Sequence, residues 1–105
     1  MKKYKAFVRG ENFLIKIAGK EQKLGFYTTV FVEAQDEKDA EQSSIRLLRN
    51  DPKLQEITLN DRSDTPVMHV EGVQELESFD GLKLPRVGFA FFAMENGDQG
   101  CGTSQ

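Results

Sequence analysis

Tryptophan is absent, and cysteine and histidine occur once each. A lone Cys101 forms no internal disulfide, so the chain folds on packing alone and suits a reducing, cytoplasmic compartment. One Cys and one His fall short of the ligand set of a structural zinc site. No run of about 18 apolar residues exists, which excludes a membrane-spanning helix. The start Met1-Lys2-Lys3-Tyr4-Lys5 is charged, but Lys5 and Arg9 break the apolar stretch that a secretory leader needs. A Walker motif is missing, and the glycines at 97, 100 and 102 follow a strand with no helix after them to cradle a phosphate.

What is present suits one domain. At 105 residues the chain buries about two-thirds of its unfolded surface, and eight Phe provide large core pieces. The net charge of −3 is unevenly spread. Residues 1–50 hold 10 Lys+Arg against 7 Asp+Glu; residues 51–105 hold 4 against 10. Both surfaces read as solvated, with a basic end available to meet an acidic one.

Periodicity sets the elements. Tyr4, Ala6 and Val8 alternate with Lys3, Lys5, Phe7 and Arg9, which is a strand. The apolar parity then moves to Phe13, Ile15 and Ile17, so an extra residue or a turn belongs near Gly10. Residues 18–23 read as a loop. Leu24–Ala34 is β-branched and aromatic, with Phe26, Thr28, Val30 and Val32 on one face and Tyr27, Thr29 and Phe31 on the other. It forms a hairpin with residues 13–17.

Asp36 caps a helix with acids in its first turn, Arg46 and Arg49 in its last turns, and Ala40, Ser44, Leu47 and Leu48 on one face; Asn50-Asp51-Pro52 stops it. Residues 53–66 carry little pattern beyond Leu54, Ile57 and Leu59. Val67–Leu76 and Val87–Met94 read as strands, with Gly72 a second bulge position. The expectation is an α+β domain over residues 1–95, with one antiparallel sheet of about four strands in the order β-β-α-β-β and one α-helix packed on a face. Residues 96–105 read as a flexible Gly-rich tail.

The last strand sets a problem. Phe89, Phe91 and Ala93 point one way and Ala90, Phe92 and Met94 the other, so both faces are apolar. A strand with one wet face should alternate. Tyr27 and Phe31 also put aromatic mass opposite Val30 and Val32. The second face is therefore covered by a second copy of the chain, covered by the connectors that carry Leu54, Leu59, Leu82 and Leu84, or used by a ligand.

Gly88-Phe89-Ala90-Phe91 resembles the centre of the RNP1 pattern of RNA-recognition motifs. That resemblance implies a base-stacking sheet using Phe7, Phe89 and Phe91. The chain departs from the pattern: Val87 stands at the basic position, Met94 at the closing aromatic, and no helix follows.

For catalysis the candidates are His69 and Glu71, which share a face in a regular strand and could exchange protons. No nucleophile is legible beside them. Asp61 and Asp64 lack the spacing of a calcium loop. The reading is a non-enzymatic binding or accessory module with no cofactor and no metal. It acts as a homodimer or on another protein through Phe7, Tyr27, Phe89 and Phe91. Single-stranded RNA or DNA binding is the alternative, and a small enzyme near His69 the second.

Overall fold

Residues 1–94 are described in the computed structural model; the glycine-rich stretch 96–105, with Cys101, lies outside them. Six elements follow one another: β1 (Lys2–Ile17), β2 (Lys20–Ala34), α1 (Glu37–Arg49), α2 (Pro52–Ile57), β3 (Val67–Leu76) and β4 (Ala90–Ala93). The strands form one antiparallel sheet in the order β3-β1-β2-β4. The helices share one face. No helix among the described residues is long and apolar enough to cross a membrane.

β1 is a single bulged strand. Its pairing with β2 jumps from Gly10↔Phe26 to Phe13↔Leu24, so Glu11 and Asn12 stand against Gly25 alone. Asn12 carries the strain, with φ at 63°. This bulge keeps Tyr4, Ala6 and Val8 on the same side as Phe13 and Ile15 despite the parity change. The strands turn over Ala18 and Gly19, both at positive φ, so β2 begins at Lys20 within the stretch expected to be a loop.

α1 begins at Asp36, whose Oδ1 accepts from the Asp39 amide at 2.9 Å. It buries Ala40, Ser44 and Leu48 against Tyr4, Ala6, Val8, Val30, Val32 and Ala34. Burying Leu48 contributes about 2 kcal/mol. The Ser44 hydroxyl is satisfied by donating to the Ala40 carbonyl at 2.7 Å.

Asp51-Pro52 ends α1 and also starts a second helix that periodicity does not reveal. Asp51 caps α2 by accepting from the Leu54 amide at 3.0 Å, with Pro52 in the first turn. Leu54 then closes a second cluster over Phe13, Ile15, Leu24 and Phe26.

Two devices tie down the irregular segments. The loop 60–65 is knotted to the β1 bulge. Asn60 accepts from the Leu14 amide and donates to the Asn12 carbonyl at 2.8 Å, while Asp64 takes the Asn12 amide at 2.9 Å and pairs with Lys23. The approach to β4 is fixed to β2 through Phe31 N to Pro85 O at 2.8 Å and Val87 N to Thr29 O at 3.0 Å. Arg86 reaches the helix layer from there. Its Nε lies 2.7 Å from Asp51 Oδ2, and its guanidinium sits 4.1 Å from the Phe89 ring centroid.

Candidate functional site

The face away from the helices is built by Lys3, Lys5, Phe7 and Arg9 of β1, by Tyr27, Thr29 and Phe31 of β2, and by Phe92 of β4. The register sets Tyr27 opposite Arg9 and Thr29 opposite Phe7. Phe7 and Tyr27 then stack across the diagonal at 5.3 Å with an interplanar angle of 7°. Phe92 lies over Gly25 and meets Tyr27 at 5.2 Å. Aromatic side chains therefore form a stripe across three strands, and Phe7 remains 44% exposed.

Arg9 lies along this stripe, 5.7 Å from the Tyr27 centroid and 5.3 Å from that of Phe92. Its Nε is 3.0 Å from Glu11 Oε2, yet buried and out of line for a hydrogen bond. Lys3 and Lys5 continue the face along β1, with Glu33 opposite Lys3. Beside Phe7 a hollow of about 370 Å³ opens, bounded by Lys5, Thr29, Gly72, Val73 and Gln74. Gly72 leaves it open, since nothing stands within 4 Å of where its Cβ would be.

The candidate binding residues divide between two surfaces. Phe7 and Tyr27 belong to the open stripe. Phe89 and Phe91 face the helices: Phe89 packs edge-on to the buried Phe26 at 4.9 Å, and Phe91 stands opposite Phe26 in register. The three rings of the RNP1-like reading do not share a surface, because β4 borders β2 and its odd positions lie on the helix side of the sheet, where Phe91 is still 40% exposed. Phe92 and Arg9 replace them on the stripe. In the sequence, Arg9 has the parity of Phe7 within the first strand, and Phe92 the parity opposite to Phe89 within the last.

Cover by the connectors is partial. Phe79 packs against Phe31 at 6.2 Å, and Phe31 is only 8% exposed. Leu54 goes to the helix side, and Leu59, Leu82 and Leu84 stay exposed. The stripe itself stays open.

His69 faces the solvent opposite Arg9, and its carboxylate neighbour is Glu11, at 4.0 Å from Nε2. Glu71 is the extra residue of a second bulge, since Val70 pairs with Val8 and Gly72 with Phe7. That bulge removes the regular alternation that would align Glu71 with His69. Among the described residues no group of three or more His, Cys, Asp or Glu is arranged to hold a metal.

Among the described residues two carboxylates are perturbed, both by structural partners. The hydrogen bond from Arg86 holds the Asp51 carboxyl below its ordinary value, against the opposing effect of burial. The Lys23 ammonium, helped by the Asn12 amide, does the same for Asp64. Both serve the fold. Comparison with protein-family models, with curated proteins and with solved structures finds no match to this chain.

Proposed function

We propose that the chain is a non-enzymatic binding module of the cytoplasm that works as a homodimer, joined through the open sheet face. The observation that carries this reading is a knob beside a hole. Exposed Phe7 projects next to the hollow over Gly72. A two-fold interface requires such self-complementarity, because each copy offers the same patch to the other. The Phe, Tyr and Arg of the stripe are the residue types that concentrate binding energy at interfaces. Both charge signs lie on the face, in Lys3, Lys5, Glu11 and Glu33, so two copies can oppose unlike charges.

The test is solution mass by size-exclusion chromatography with light scattering. The expected result is a dimer that persists at physiological salt. Phe7→Glu should shift it to monomer by weakening association at least 30-fold, about 2 kcal/mol. Gly72→Val should do the same while leaving the folded monomer intact. Valine suits a strand, and the site has room for it. A wild-type monomer at every concentration, or a dimer indifferent to both changes, removes this reading.

Single-stranded RNA or DNA on the same face has Lys3, Lys5 and Arg9 in its favour. The ring geometry disfavours it. Phe7 and Tyr27 turn flat faces toward each other, and Arg9 occupies a further face, so bases would meet mostly ring edges. Tight, salt-sensitive binding of a labelled oligouridylate by the monomer would reverse the preference.

A further inference from the structure

On the opposite side of the sheet, independent of the proposed dimer face, a cavity of about 590 Å³ opens between α1, α2 and β3. It arises where the two core clusters abut. Leu48 belongs to one cluster, and Phe13 and Leu54 to the other. Met68 packs against both, and Pro66 and Val67 form the outer wall as the chain enters β3. Val67 is exposed at the mouth. The volume is in the range that holds a small molecule, and Met68 gives an adaptable surface.

The charge around this cavity is one-sided. Its lining contains no carboxylate, and its one ionic group is Arg49. Arg49 also borders the adjoining cavity of about 490 Å³, where Arg46 joins it and Glu41 is the only acid. Neither guanidinium has an ion-pair partner among the described residues. The nearby polar groups are already engaged: Gln55 donates to the Arg49 carbonyl at 2.8 Å, and Thr58 to the Leu54 carbonyl at 2.6 Å. An apolar chamber with an unpaired cation at its rim complements a molecule with an apolar body and one anionic end.

We infer that this cavity binds a medium-chain carboxylate, its tail against Phe13, Leu54 and Met68 and its head group on Arg49. Guanidinium and carboxylate match as a bidentate pair, which fixes the orientation of the ligand. At the α1 C-terminus the Arg46 carbonyl accepts from Asn50 and that of Arg49 from Gln55, so neither is left free beside the head group.

The probe is decanoate, titrated below its micelle-forming concentration and followed by methyl NMR. Saturable shifts at Met68, Leu54 and Val67 are expected. Arg49→Gln, a change on an exposed helix position, should weaken decanoate about tenfold and leave decanol unaffected. Val67→Trp should close the mouth and abolish both. Absence of saturable shifts, or equal affinity for decyltrimethylammonium, overturns the proposal. Oligomeric state reads the dimer face separately, so either result is distinguishable from failure of that reading.

Discussion

Asp51→Ala should lower stability by about 3 kcal/mol, read as a shift in the urea midpoint monitored by circular dichroism. The change removes the cap of α2, worth about 1 kcal/mol. It also leaves the mostly buried Arg86 guanidinium without its anion. Asp51→Asn separates the two effects, because asparagine still caps and cannot pair as a charge. It should lose only the ionic part. An Asp51→Asn protein as stable as the wild type would show that Arg86 draws nothing from the charge.

The same carboxylate sets a pH dependence. Arg86 holds the folded pKa of Asp51 below that of the unfolded chain, and Lys23 does so for Asp64. A depressed folded pKa means that the stabilisation is complete above the unfolded value, about 3.9, and is lost as the pH falls through the folded one. Urea midpoints should therefore fall as the pH drops below about 4, and the slope should be shallower in Asp51→Asn.

Gly10→Ala should cost a similar amount, about 3 kcal/mol, by overpacking. The fully buried Phe26 ring lies directly over Gly10, and a Cβ there would enter the ring's van der Waals envelope. Phe26 has no room to move. Phe13 and Phe89 contact it at 5.0 and 4.9 Å. The ring covers the backbone that glycine leaves bare, and the pair works only with glycine. A thermal melt settles the point: a Gly10→Ala protein melting within about a degree of wild type would mean that the core yields there.

Much of this fold was legible because its pattern is local. The parity change at Gly10 marked the bulge that lets β1 run unbroken to Ile17. Asp36 marked the start of α1, and its buried face was read from spacing. α2 leaves no periodic signal because six residues are too few for a helical period, and Asp51-Pro52 reads as a stop as well as a start. The doubly apolar last strand correctly announced that both faces of the sheet carry aromatics. Which rings share a surface depended on strand order and on the bulge at Glu71, both of them long-range facts. The sequence pattern thus groups Phe89 with Phe7, though they lie on opposite sides, and aligns His69 with Glu71, where the fold supplies Glu11.

Beyond the backbone itself, two side chains among the described residues join the two core clusters. Met68 and Phe89 each touch both. One comes from β3 and the other from the approach to β4, which are the two margins of the sheet. The halves of the interior are thus fastened at the rims. Fraying of either margin would loosen communication between the α1 half and the α2 half before the central hairpin opens. Amide hydrogen exchange should then divide the molecule into a slow β1–β2 spine and two faster borders, with the borders setting how cooperatively the halves unfold.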